Sequence, residues 1–246
     1  ILVAWSAEAL TAGRAWQARL WGVVAPLAIL ALTIQGYIQT TYWHDDEVLY
    51  RYALSVEPNS PKMQTNLGIT LRHKSEQDKS LLEEAYKECK AAVEGNPNYA
   101  DARMNMANVL YDMGRYAEAE KEYREAIRMD PKNDNAYSNL GNDLVKMNRH
   151  AEAIELYKKA LSMKEGNSSA HNNLGGALFE LGRYDEAKKE FEKAIALDGK
   201  YLGAYTNYAV LYAQQGDFKD AAKMQEKAVR LKPNDPILLN MLGNFY

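Results

Sequence analysis

Four side chains that could do chemistry stand together in "YWHDDEVLYRYALSVEP", residues 42–58: His44, Asp45, Asp46 and Glu47. An imidazole beside three carboxylates could hold a metal ion or pass a proton. Either task needs further ligands or a pocket. The remaining histidines, His73, His150 and His171, are dispersed along the chain. A plainer role also suits the acids: Asp caps a helix N-terminus, and carboxylates there oppose the positive end of the helix dipole. The segment is therefore read as the capped start of a helix. No catalytic residue, metal ligand or cofactor is assigned.

The element before it is an uncharged apolar run, "LWGVVAPLAILALTIQGYI", Leu20 to Ile38. As a helix it would rise about 28 Å, close to the hydrocarbon thickness of a bilayer. Trp16, Trp21, Tyr37, Tyr42 and Trp43 flank it as interfacial aromatics would. The expectation is a transmembrane helix with its flanks over 14–43, preceded by an apolar stub over 1–13. Arg14 and Arg19 precede the run and three acids follow it. Basic flanks favour the cytoplasm, so everything after the span is expected on the non-cytoplasmic side: periplasm, cell surface or ER lumen. The net charge of −3 gives no electrostatic reason to bind nucleic acid. One cysteine, Cys89, allows neither an internal disulfide nor a cysteine-based zinc site.

The element after it repeats. "TNLGITL", "MNMANVL", "SNLGNDL", "NNLGGAL" and "TNYAVLY" place Asn66, Asn105, Asn139, Asn173 and Asn207 at successive steps of 39, 34, 34 and 34 residues. The long first step marks a five-residue insertion near "HKSEQDKSLLEE". Gly68, Ala107, Gly141, Gly175, Ala209 and Gly243 recur two residues after these positions, with Ala119, Ala153, Ala187 and Ala221 further on. Small residues at such intervals let paired helices approach closely. Pro97, Pro131 and Pro233 close repeats, and Glu165 and Gly199 stand at the two sites that lack Pro. "GRYAEA", "NRHAEA", "GRYDEA" and "GDFKDA" read as turns between helices. Tyr123, Tyr157 and Phe191 share one repeat position and read as packing residues. The runs "EAEKEYREAIRMD" and "EAKKEFEKAIALD" read as solvated faces with i,i+4 ion pairs.

A period of 34 residues with these small positions closely resembles the tetratricopeptide repeat family. The resemblance implies an all-α fold, a right-handed helical solenoid over 61–246. Its units are 61–99, 100–133, 134–167, 168–201 and 202–235, with a partial unit over 236–246. Residues 44–60 form a half-repeat helix that starts the solenoid. A bare first helix at the end implies that the protein continues past Tyr246. The span joined to Trp43, the acids, Leu49, Ala53-Leu54, Pro58 and the first "NLG" also resembles the C-terminal half of the transmembrane-and-TPR proteins. That group includes protein O-mannosyltransferases of the GT-C fold, whose catalytic acids lie in an early outer loop, and no residue of this chain matches them.

Successive first helices should line the concave face. The residues expected there are Asn66, Asn105, Asn108, Asn139, Asn142, Asn172, Asn173 and Asn207. An amide offers both a donor and an acceptor, so it can pair with a peptide backbone of any sequence. The competing reading is that these asparagines only cap or bridge. Thr65, Met104, Ser138, Asn172 and Thr206 stand where a basic clamp would place Lys, so a groove for neutral extended segments is expected. The functional expectation is a membrane-anchored scaffold whose partners are protein or extended peptide segments and the lipid bilayer. One alternative is the C-terminal part of a polytopic mannosyltransferase presenting acceptor polypeptide. Another is a subunit docked in a membrane complex. "NSS" at Asn167 is a glycosylation sequon, relevant only in a eukaryotic lumen.

Overall fold

The computed structural model describes residues 24–33 and 45–246. Helices α1 (Asp46–Val56), α2 (Pro61–Lys74), α3 (Leu81–Gly95), α4 (Ala100–Asp112), α5 (Tyr116–Met129) and α6 (Asp134–Lys146) are followed by α7 (His150–Met163), α8 (Ser168–Glu180), α9 (Tyr184–Leu197), α10 (Leu202–Gln214), α11 (Phe218–Leu231) and α12 (Pro236–Gly243). From α4 onward each first helix begins 34 residues after the last. The five-residue insertion falls in the turn between α2 and α3, where the Asp78 carboxylate accepts from the Ser80 backbone N–H and hydroxyl.

Local chemistry sets where the helices stop. The turns inside repeats place Gly114, Asn148, Gly182 and Gly216 at φ of 76°, 59°, 71° and 80°. Glycine adopts this left-handed backbone freely and asparagine tolerates it. The N–H of the next residue then returns to the first helix, as Arg115 does to Leu110 O at 2.8 Å and Arg149 to Leu144 O at 2.9 Å. Side chains of Asn133, Asn167, Asp217 and Asp235 cap the helices that follow them. Asn167 of the sequon is thus a helix cap.

Bare backbone lets the helices of a repeat touch. A Cβ on Gly141 would lie 2.6 Å from the Tyr157 ring, and one on Gly175 would lie 2.7 Å from the Phe191 ring. Gly68 stands in the same relation to the Cys89 sulfur. One continuous core joins the repeats, from Leu67 and Leu71 through Leu140, Leu144 and Ile154 to Leu211. The backbones of successive first helices come close together, α2 to α4, α4 to α6, α6 to α8 and α8 to α10, whereas among the described residues no two second helices approach so closely along their backbones. The first helices therefore lie on the inside of the curve.

A second tie recurs at one repeat position. Gln64 Nε2, Arg103 Nε, Tyr137 O–H and Tyr205 O–H each donate to the carbonyl six residues earlier, on Pro58, Pro97, Pro131 and Gly199. His171 holds the same place, with Nε2 3.0 Å from Glu165 O and Nδ1 2.6 Å from the Glu190 carboxylate. Four kinds of side chain do one job at five places, which anchors the loop between repeats to the helix it feeds.

Two of the three acids in the opening cluster, Asp45 and Glu47, are paired. Asp45 is the N-cap of α1 and accepts from the Glu47 N–H at 2.8 Å. Lys74 reaches Asp45 at 3.1 Å and Glu47 at 2.8 Å, while Arg51 joins Glu47 to Glu84. Hydrogen bonds from Lys74 hold both carboxyls below the usual range. The capping role is the one observed, and α1 packs on the repeats through Tyr50 and Leu54. His44 lies outside the described residues. Among the described residues no three His, Cys, Asp or Glu side chains are placed to hold a metal ion.

The expected transmembrane helix is described only over 24–33, which is helical and exposes Leu27, Ile29, Leu30 and Leu32. Among the described residues no helix is long and apolar enough to cross a membrane. The rest of 14–43, and the stub over 1–13, lie outside the described residues.

Two adjacent glycines of α8 give a test of this packing. A Cβ on Gly175 meets Phe191, whereas a Cβ on Gly176 meets nothing within 4 Å. Gly175→Leu should lower the melting temperature through overpacking of about 1–3 kcal/mol. Gly176→Ala should raise it, since Ala favours a helix over Gly by about 1 kcal/mol. Thermal denaturation followed by circular dichroism reads both signs.

Candidate functional site

The expected asparagines lie on the first helices, where the inner face of the curve is built. Asn108 and Asn172 are buried, and Asn66, Asn105, Asn139, Asn142, Asn173 and Asn207 are half-buried. Several of them bond across the repeat boundary. Asn139 Nδ2 donates to Asn108 Oδ1 and Asn173 Nδ2 donates to Asn142 Oδ1, each at 2.9 Å. The accepting oxygen takes a second bond from the other helix of its own repeat: Tyr123 O–H to Asn108 and Tyr157 O–H to Asn142, both at 2.7 Å. Burial pushes both phenols well above their ordinary range, so they stay protonated donors.

This rung needs Asn three residues after the ladder Asn and Tyr fifteen residues beyond that. "NMAN" with Tyr123 and "NLGN" with Tyr157 meet the rule. "NLGG" with Phe191 fails at both places, since Gly176 has no amide and Phe191 no hydroxyl. Asn207 then turns to Asn172 Oδ1 at 2.9 Å, a partner one residue before the ladder position. In the first repeat Ile69 holds the accepting place. Asn105 accordingly folds back onto its own helix and donates to Asp101 O at 2.8 Å. Asn66 makes no side-chain hydrogen bond among the described residues.

Bridging uses only one end of each amide. Asn139 Oδ1, Asn142 Nδ2 and Asn207 Oδ1 have no partner among the described residues. Their residues line two recesses. One, of about 380 Å³, is formed by Asn142, Val145, Tyr157, Asn173, Gly176 and Asn207, with Lys146 and Glu180 also contributing. The other, of about 220 Å³, is formed by Arg72, Asn108, Tyr111, Tyr123, Asn139 and Asn142. Arg72 is held by Asp112 at 2.5 Å. The hydroxyl partners Tyr123 and Tyr157, read from the sequence as packing residues alone, are part of the site. Their signal is the paired change of Asn–Tyr to Gly–Phe.

The repeats match the descriptions "Tetratricopeptide repeat" over residues 167–234 and "TPR repeat" over 107–146 and 141–182, together more than half of the chain. The chain belongs to the tetratricopeptide repeat (TPR) family. Similar solved structures include YrrB, a TPR protein with an unusual peptide-binding site. It is 25% identical, with 78% of this chain and 96% of that one covered and a TM-score of 0.57. PilF of Pseudomonas aeruginosa is 22% identical, covering 85% of this chain and 93% of that one, with a TM-score of 0.66. A thermophilic TPR protein of Thermus thermophilus, TTC0263, is 19% identical, covering 76% and 98%, with a TM-score of 0.64. The last two speak for the fold alone. No protein of curated function matches the chain. All matched family segments lie within the repeats, so the transferase half of the sequence resemblance gains no support from them.

Beside the rung lies a residue that pattern reading passed over. Asp143 occupies the repeat position of Val109, Ala177 and Leu211, and it is wholly buried with neither carboxylate oxygen paired. Burial pushes its carboxyl up to about 7, with the Glu120 charge adding and Arg149 opposing. The folded TPR domain therefore holds a proton that the unfolded chain releases near 3.8. Stability should fall as pH rises from about 4 to 7 and level off above that. Asp143→Val, which copies Val109, should remove this penalty. The gain should be roughly 2–4 kcal/mol at pH 8 and smaller at pH 5, read from denaturant unfolding at both pH values.

Proposed function

We propose that this TPR domain is a protein-interaction scaffold that holds an extended, largely uncharged polypeptide segment in its concave groove. The observation that carries the reading is the set of unpaired amide ends. Asn142 Nδ2 can donate to a peptide carbonyl, while Asn139 Oδ1 and Asn207 Oδ1 can accept from peptide N–H groups. Asn139 and Asn142 stand on the third repeat and Asn207 on the fifth, each already held at its other end, so little ordering cost falls on the protein when a ligand binds. The peptide-binding site of YrrB is consistent with such a role. No catalytic step is assigned.

We also propose that the apolar run of residues 20–38 tethers the domain to a bilayer, with the repeats on the non-cytoplasmic side. Its uncharged 19 residues, Arg14 and Arg19 before it and the acids after it support this. The chain reconstituted in liposomes should float with the vesicles after an alkaline carbonate wash. In right-side-out vesicles, added protease should cut the repeats. Recovery of the washed chain in the soluble fraction would reject the tether, and full protection from protease would reject the orientation.

Asn142→Asp separates the ligand role of the ladder from its structural role. The aspartate keeps an oxygen for Tyr157 and Asn173 but replaces the free donor with a repelling oxygen. Uncharged decapeptides selected on the parent from a displayed random library should bind the variant about tenfold more weakly, one lost hydrogen bond of roughly 0.5–1.5 kcal/mol. The melting temperature should stay close to the parent's. Unchanged fluorescence-polarisation affinity would move the binding surface away from the groove.

A further inference from the structure

The larger recess lies where the ladder breaks. In the two preceding repeats the third residue after the ladder Asn is Asn108 or Asn142, whose side chain fills the inner face and carries the rung. In the fourth repeat that residue is Gly176, and a Cβ built there meets nothing within 4 Å. The loss is not compensated from the other helix, because Phe191 is spent against Gly175. Asn207 instead bonds Asn172, to one side of the gap. The result is a notch whose floor is the bare backbone of Gly176, with Ala177, Val145 and Tyr157 also lining the recess.

The lining states what would fit. Val145 offers apolar contact to a flat side chain, with the buried Ala177 and Tyr157 behind it. Lys146 supplies a cation suited to the face of an aromatic ring. Asn207 Oδ1, which has no partner among the described residues, can accept from a phenol O–H. Asn142, whose amide nitrogen has no partner among the described residues, lines the same recess, so a peptide backbone held by it would carry its side chain past the notch. We infer that the notch over Gly176 is a side-chain subsite for an aromatic residue, tyrosine above all, of an extended peptide. The inference presupposes the groove reading and adds the specificity that a uniform amide ladder lacks.

The test uses fluorescein-labelled alanine–serine decapeptides with one central guest, Tyr, Ala or Asp, titrated with the full chain to millimolar concentration. The Tyr guest should bind at least tenfold more tightly than the Ala guest, and the Asp guest no better than Ala. Gly176→Asn should abolish the Tyr advantage over Ala, because it refills the notch, while the melting temperature equals or exceeds the parent's. Asn142→Asp should weaken all three peptides. If the peptides bind and respond to Asn142→Asp, yet Tyr shows no advantage or keeps it in Gly176→Asn, the subsite is overturned and the groove reading stands. If none of the peptides binds the parent, both are overturned.

Discussion

One contact organises the inner face of this solenoid: the Tyr157 ring lying on the bare backbone of Gly141. A side chain at Gly141 would hold the two helices of the repeat apart. Without one, the ring is buried and its hydroxyl arrives within 2.7 Å of Asn142 Oδ1. That oxygen also receives Asn173 from the next repeat. Close packing within one repeat therefore places the hydrogen bond between two repeats. One unit earlier Ala107 stands in the place of Gly141, and Tyr123, Asn108 and Asn139 still form the same rung. A solenoid is held by neighbour terms alone, so a bond repeated at each junction influences how the first helices line up.

The repeat itself was open to reading because its cause is local. A helix pair needs small residues at fixed intervals, a residue tolerant of positive φ in the turn and a stop at the end, and each leaves a letter in the sequence. Asn148 in place of Gly at φ 59° shows the rule holding through a substitution. The position filled by Gln64, Arg103, Tyr137, His171 and Tyr205 shows the opposite case. Reach to a carbonyl six residues back is what matters there, and four kinds of side chain supply it. Pattern reading sees no repeat in that column, which is why His171 stood in the sequence as an isolated histidine.

The site was half legible. The asparagines stood out as a column, and most of those after Asn66 do meet one another or their own helix. Whether an amide points to a ligand or to its neighbour depends on the residue in the adjacent repeat, which a single column cannot show. Asn105 turns back because Ile69 offers it nothing, and Asn139 bridges because Asn108 does. The paired columns, Asn with Tyr and Gly with Phe, carry that information at a distance of fifteen residues. Asp143 was missed for a different reason. An acid amid a polar-looking stretch reads as exposed, although its repeat column of Val109, Ala177 and Leu211 is aliphatic and the packing of α6 buries it.

Bridging and recognition do not compete for these amides. A rung takes the donor of one Asn and the acceptor of the other, leaving a donor on Asn142 and acceptors on Asn139 and Asn207. Holding one end fixes the orientation of the other, so the bonds that stiffen the solenoid also aim its free groups. A ladder continued identically through every repeat would offer the same contact at each step and would leave a bound chain free to slip by one repeat. The break at Gly176 removes that degeneracy. It changes the partner of Asn207 and opens space on the inner face, whereas Ile69, which also lacks the accepting amide, keeps a side chain there, so Gly176 is the position where a bound chain would acquire a register.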